Sequence, residues 1–418
     1  MSEMSSRKLR TIELLAPAKN YEQGRAAILC GADALYVGAP RFGARSAAGV
    51  PEEEIVRLCD LAHRFGAKVY VAMNTLLYEQ ELADAERIAC RMWNAGADAL
   101  IVQDMAFLRM ELPPVELHAS TQVCNTDPQR VRFLSEAGFT RVILERALSL
   151  EEIGRLSRAA DVEIETFVHG AICVSYSGRC YMSRTMGPRS GNRGDCSQSC
   201  RLPYDLLDER MRPLERNRHL LSLQDINATG QIEELIGAGA TSFKIEGRLK
   251  DENYVRNVVG WYRRKLDGIL ARRDDLRRAS EGISTLEFEP NPAKSFSRGA
   301  AAYFLGGVGG GVASFDTPKA FGEPLGKVID VRRNSFRLPS RTALSAGDGI
   351  CFVTVSGAPG GTNINRTDGE WVWPNRMDGI VPGMELYRNY DHLFVSAVGR
   401  SRLRRTIPVT ASVRVGPS

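Results

Sequence analysis

The chain has 418 residues, 43% hydrophobic and 25% charged, a balance that excludes a disordered or membrane-embedded protein and suits a large α/β unit with a smaller one beside it. A net charge of +5 over this length is too small to argue for a nucleic-acid partner by itself.

The first residues, Met1-Ser-Glu-Met-Ser-Ser-Arg-Lys, run straight into the apolar stretch Ile12–Ala16, with no apolar core of a signal peptide. No run of ~20 apolar residues follows anywhere, so a cytoplasmic protein without membrane contact is expected. In that compartment the nine cysteines are not expected to form structural disulfides, and clustered ones point to metal binding or reactivity.

Along the chain one phrase recurs, in which a helical pattern ends at glycine and a β-rich run follows. It occurs at Gly31, Gly66, Gly96, Gly138 and Gly239. Glycine after a helix takes positive φ without a Cβ clash, and the apolar run behind it reads as a buried parallel strand. Eight strands are expected, at Glu13–Ala16, Ala34–Gly38, Lys68–Met73, Ala99–Gln103, Val115–Ala119, Arg141–Leu144, Glu163–Val168 and Ser242–Ile245. They predict an α/β fold, a (β/α)8 TIM-like barrel over residues 10–280 that carries a cysteine loop at 171–205. Leu220–Leu223 reads either as a further strand or as part of an insertion. A final helix is capped by Asp251 and carries the stripe Val255, Val258, Val259, Tyr262 and Leu266. From residue 285 to 418, short β runs such as Gly326–Val331 and Gly349–Val355 predict a smaller C-terminal β-barrel or sandwich. The piece Gly306-Gly-Val-Gly-Gly-Gly-Val312 fits no phosphate-binding motif and reads as a turn.

In such a barrel the chemistry lies at the C-terminal strand ends. The polar residues there are Asn74, Gln103, Asp104, His118, Ser120, Gln122, Glu145, His169, Glu246 and Arg248. After the seventh strand come Cys173, Cys180, Cys196 and Cys200, separated by six, fifteen and three residues. A structural zinc site usually draws on two tight cysteine pairs, and only Cys196 and Cys200 make one. Iron–sulfur clusters also use four thiolates. Spacing leaves cluster, zinc and reactive or merely buried thiols all open. The segment 171–205 holds five arginines, among them Arg179 and Arg193, against two aspartates, with Tyr176, Tyr181 and Tyr204 interleaved. These arginines read either as solvated surface or as RNA phosphate contacts. A second cluster, Arg400, Arg402, Arg404 and Arg405, reads as a strand edge. No HExxH and no GxSxG elbow supports peptidase chemistry.

Glu165-Thr-Phe-Val-His-Gly-Ala-Ile-Cys173 through Gly178-Arg-Cys180-Tyr-Met-Ser183, and Phe243-Lys-Ile-Glu-Gly-Arg248, resemble the hallmarks of the peptidase U32 (collagenase-like) family. Glu116-Leu-His-Ala-Ser-Thr-Gln122, the stretch Asn192 to Tyr204, Tyr36-Val-Gly38 and Phe42-Gly-Ala-Arg45 are most similar to its branch that forms 5-hydroxycytidine in 23S rRNA. The resemblance runs from about residue 11 to beyond residue 390, although that branch is usually longer at its C-terminus. It implies RNA hydroxylation without O2 rather than proteolysis, and a [4Fe–4S] cluster on Cys173, Cys180, Cys196 and Cys200. Prephenate is the hydroxyl donor in a related branch that acts on the wobble uridine of tRNA, so tRNA is the alternative RNA. On this reading His118, His169 and Glu246 are candidates for proton transfer. Arg45 and Arg248 are candidates for an anionic co-substrate or phosphate, and Gln122, Arg179 and Arg193 for substrate binding. A zinc-stabilised, non-catalytic RNA-binding or ribosome-assembly protein is the rival from another class. Oligomeric state is not legible.

Overall fold

The computed structural model describes residues 9–413, apart from 46–47, 307–310, 340–342 and 356. The first eight residues and most of the glycine-rich piece lie outside the described residues.

Eight parallel strands close a barrel. They are β1 (Arg10–Ala18), β2 (Ala34–Gly38), β3 (Lys68–Met73), β4 (Ala99–Val102), β5 (Glu116–Ala119), β6 (Arg141–Ile143) and β7 (Glu163–Ala171), followed by the closing strand Ser242–Ile245. Each pairs with the next, and the closing strand pairs with both β7 and β1. The expected strands therefore exist, with ends displaced by a few residues. The five recurring glycines all take positive φ, between +62° and +104°, as the helix-to-strand junction requires.

Around the barrel lie α1 (Tyr21–Leu29), α2 (Glu52–His63), α3 (Leu82–Asn94), α4 (Pro128–Glu136) and α5 (Leu150–Ser157). Their starts are chemically marked. Asn20 accepts from the Gln23 N–H, Asp127 from that of Gln129, and Ser149 forms a capping box with Glu152. The strands read as continuous apolar runs because both faces are buried. Ile12, Leu14 and Ala16 face the helices in the main core, while Leu15 points into the barrel with Tyr36, Tyr70, Ile101 and Phe167.

Between β7 and the closing strand the chain makes its longest excursion. It contains the cysteine loop with a short helix α6 (Met182–Met186), the hairpin β8 (Tyr204–Leu207) and β9 (Pro213–Arg218), then β10 (Asp225–Asn227) and α7 (Ile232–Gly237). The closing strand is thus β11. Leu220–Leu223 is a turn with one isolated bridge, Leu223 to Ala313; the added strand is β10, antiparallel to the end of β7. Next comes α8 (Glu252–Leu270), capped by Asp251 as expected, with its apolar stripe buried.

The arginine-rich segment after α8 is more than a connection. Leu276–Arg278 pairs parallel to the start of β1. Asp33, 1% exposed, gathers Arg263 at 2.8 Å, Arg278 at 2.6 Å, Ser280 and the Leu14 N–H at 2.9 Å. Arg405 is buried, not solvated; it donates to the carbonyls of Ile28 and Ala32 at 3.0 and 2.8 Å. Thr285 and its neighbours pair with Arg404–Thr406.

From Glu323 to Tyr390 a seven-stranded antiparallel sheet forms, with its own core around Phe336, Phe352, Ile364 and Leu386. No helix of the described residues is long and apolar enough to cross a membrane.

Candidate active site

The C-terminal strand ends open into a cavity roofed by the cysteine loop. Tyr36, Ile101, Ile143 and Phe167 supply apolar walls, and Asn74, Ser120, Gln122, Lys244, Glu246 and Arg248 supply polar ones. Asn74 is held in place, accepting from the Ala44 N–H at 2.9 Å and donating to Ser120 at 3.0 Å. The Gln103 amide donates to the Gln122 carbonyl at 3.1 Å.

Positive charge dominates the buried polar groups. Arg45, Arg146 and Arg248 surround the single carboxylate of Glu246, which Arg146 meets at 3.2 Å. Burial works against ionised Glu246, but the three guanidiniums outweigh it and hold its pKa below the usual range. Arg248 is 5% exposed, and its Nε and Nη1 have no hydrogen-bond partner. Arg146 also has an unpartnered Nε, and its guanidinium lies 4.0 Å from the Phe167 ring centroid. Lys244 is paired with Glu165 at 2.8 Å and adds a smaller pull on Glu246 in the same direction as the guanidiniums. An excess of buried cationic donors costs free energy unless an anion completes it. The arrangement can bind a small polyanion.

All four loop cysteines line this cavity, and none is in a disulfide. Burial raises the Cys200 pKa against the pull of Arg201, and the other three thiols add to the rise. The Cys196 sulfur accepts from the Gln198 N–H at 3.4 Å, and an Arg146 Nη lies 3.9 Å from the Cys173 sulfur. Among the described residues no three His, Cys, Asp or Glu side chains close on the position of one metal ion. Four thiols facing one cavity, with N–H donors at two of the sulfurs, are the donor set that a four-cysteine iron–sulfur cluster uses, which spreads its ligands more widely than one ion does. The residues fit that group.

The loop is fastened at several points. Glu145 accepts from the Ser177 N–H at 2.8 Å and its hydroxyl at 3.2 Å, pinning the arm between Cys173 and Cys180. Arg193 forms a forked pair with Glu81 at 2.7 and 2.8 Å. Arg201 donates to the Ile172 carbonyl at 2.9 Å, joining the two ends of the cysteine set.

The sequence-predicted residues divide accordingly. Arg45, Gln122, Glu246, Arg248 and the four cysteines share the cavity. Arg193 is committed to Glu81, and Arg179 lies outside the cavity lining. His118 is buried inside the barrel, edge-on to Tyr70 with Nε2 3.6 Å from Glu116, and does not line the cavity. Burial and Arg141 lower its pKa. His169 does not line the cavity either. The register between β7 and β11 shifts between Lys244 and Ile245, and the ring lies against Tyr254 and Tyr262 of α8. Burial, then Lys250, lowers its pKa to about 4. Arg146 and Lys244 escaped the sequence reading. Their signals are a cation directly after Glu145 and a lysine inside an apolar strand.

A barrel whose strand-end cavity is closed by a cysteine-bearing loop agrees with the family match. The model for peptidase family U32 matches residues 19–311, and the chain belongs to that family. It is 43% identical over 406 residues, 95% of its length, to the 23S rRNA 5-hydroxycytidine C2501 synthase of Escherichia coli K12, and spans 62% of that protein. It is 35% identical to tRNA hydroxylation protein P1 of Bacillus subtilis, covering 71% of this chain and 72% of the relative. A collagenase of Porphyromonas gingivalis is 31% identical over 61% of this chain and 65% of its own.

Proposed function

We propose that this protein is an RNA hydroxylase that converts a cytidine of 23S rRNA to 5-hydroxycytidine. It works without O2, with a [4Fe–4S] cluster on Cys173, Cys180, Cys196 and Cys200 and an anionic hydroxyl donor of the prephenate class. The observation that carries this reading is the guanidinium trio of half-buried Arg45 and Arg146 and buried Arg248 beside four thiols in one strand-end cavity. The E. coli relative supports cytidine and 23S rRNA, since 95% of this chain aligns with it.

In this proposal Arg45 and Arg248 hold the carboxylates of the donor, using donors of Arg248 that the protein leaves unpartnered. Asn74, Ser120 and Gln122 offer hydrogen bonds to the edge of the pyrimidine, while Tyr36 and Phe167 brace the cations that lie over their rings. Glu246, kept ionised by its arginines, orients Arg146 and the other guanidiniums at the cavity and can pass a proton on rather than store it. Bound on the four cysteines, a cluster would supply an electron-transfer centre at the cavity wall. His118 and His169, which lie away from the cavity, have no part in the proton transfer.

Mass spectrometry of rRNA nucleosides tests the reading. A strain lacking the gene is expected to lose 5-hydroxycytidine from 23S rRNA and to regain it with the wild-type chain but not with Arg248→Met. Full hydroxycytidine in the deletion strain sinks the proposal. The B. subtilis relative favours a second reading, a tRNA hydroxylase; a change confined to tRNA uridines would select it. Iron and sulfide analysis under anaerobic conditions addresses the cofactor. Zinc without iron or sulfide, or unchanged iron in Cys196→Ala, would remove the cluster assignment.

A further inference from the structure

We propose that the outward face of the C-terminal sheet binds single-stranded RNA, at a site separate from the cavity. The inference rests on the reading of this protein as an RNA-modifying enzyme. Two of the chain's four tryptophans, Trp371 and Trp373, lie on the strand Trp371–Pro374. They alternate with Val372 and Pro374, which are buried, so both indoles stand on the solvent side of the sheet. Each carries a guanidinium on its ring, Arg332 at 3.6 Å from the Trp371 centroid and Arg366 at 4.1 Å from that of Trp373. Among the described residues neither arginine has a carboxylate partner, whereas neighbouring Arg337 is paired with Glu370 at 3.4 Å.

Stacked indole and guanidinium planes are surfaces on which bases stack, and the two guanidiniums, unpaired among the described residues although Asp368 stands opposite Trp371 and Asp330 two residues before Arg332, can meet phosphate. The two stacks are two residues apart on one strand, ~6.6 Å. That is roughly twice the ~3.4 Å separation of successive units along one strand of a duplex. The spacing suits bases splayed apart in a loop and not a duplex, whose base faces are covered. Hydrogen-bonding groups continue the surface. Past Pro374, the exposed Asn375 and Arg376 line a shallow pocket with Asn363 and Asn389. Amides of this kind read base edges. A protein partner docking by hydrophobic burial would need bare apolar surface, and here each ring is covered by a charge.

The test uses the full chain with a fluorescein-labelled 12-nucleotide single-stranded RNA of mixed sequence and a blunt duplex of equal length. Tighter binding of the single strand, with quenching of tryptophan fluorescence, is expected. The double variant Arg332→Gln/Arg366→Gln, which touches no core residue, should weaken single-strand binding roughly tenfold, and Trp371→Ala/Trp373→Ala should also remove the quenching. Unchanged affinity in the arginine variant, or equal binding of the duplex, overturns the proposal. Nucleoside analysis separates this from the activity itself. Hydroxycytidine formed normally by a variant of unchanged affinity refutes only the RNA surface, while no hydroxycytidine from the wild-type chain, with single-strand binding intact, refutes only the hydroxylase.

Discussion

His169 shows what burial does to a titratable side chain. Its pKa of about 4 lies below the ordinary value of 6.5 because burial penalises the imidazolium and Lys250 repels it. Between these values the unfolded chain binds more protons than the folded one, so stability is full above pH 6.5 and falls as pH drops toward 4. The contribution is roughly 3 kcal/mol. His169→Gln is expected to flatten this part of the profile, measured as the urea midpoint at pH 7 and pH 4.5; an unaltered pH dependence would assign the acid lability elsewhere. The same residue shows where the sequence misleads. Two-residue alternation along β7 points His169 into the barrel with Glu165 and Phe167, and the shift of register that breaks the alternation leaves no mark in the residue types. Gln122, Glu246 and Arg248 were legible because a buried parallel strand announces its own end, and Arg45 only through the resemblance carried by Phe42–Arg45. Lys244 was not, because a charge inside an apolar strand is accounted for only once Glu165 is seen beside it.

At the scale of elements, the cysteine loop depends on the strand ends beneath it. Gly178 has φ +73°, and a Cβ there would lie 1.9 Å from the Gln122 carbonyl oxygen, which is backbone and has little room to yield. Gly178→Ala is therefore expected to lift the Cys173–Cys180 arm off β5 while leaving the barrel folded. Far-ultraviolet circular dichroism should stay native, and iron and sulfide content should fall at least severalfold. Full occupancy in this variant would mean that the arm adapts and that Glu145 and Ser177 do not set its position. The clustering of cysteines was visible in the sequence. Their fastening was not, because Glu145, Glu81 and Arg201 reach them across large sequence separations.

At the scale of the molecule, Asp33 joins parts that the sequence presented as separate. It binds the start of the barrel through the Leu14 N–H, α8 through Arg263 and the segment after α8 through Arg278. Asp33→Asn would take from half-buried Arg278 its only carboxylate partner among the described residues and leave buried Arg263 with Asp267 alone, where breaking a buried ion pair typically costs about 3–5 kcal/mol. Urea unfolding followed by tryptophan fluorescence measures it, and a loss below ~1 kcal/mol would show that the arginines find water or other acceptors. The order of strands was legible from the recurring glycine phrase. The return of residues 276–278 to β1 was not, since a run of arginine and acid resembles a solvated connection until Asp33 is placed among it.

The contacts of Arg405 with the carbonyls of Ile28 and Ala32 also bear on how the protein is made. Those partners are separated by up to 377 positions. At ~5–20 residues per second, a ribosome needs roughly 20–75 s to supply the arginine after the carbonyls it will hold. The first βα unit therefore leaves the exit tunnel with the Ala32 carbonyl lacking this donor and the Ile28 carbonyl holding only local N–H groups such as that of Gly31. The amino-terminal end of the barrel is completed by one of the last described residues to be synthesised.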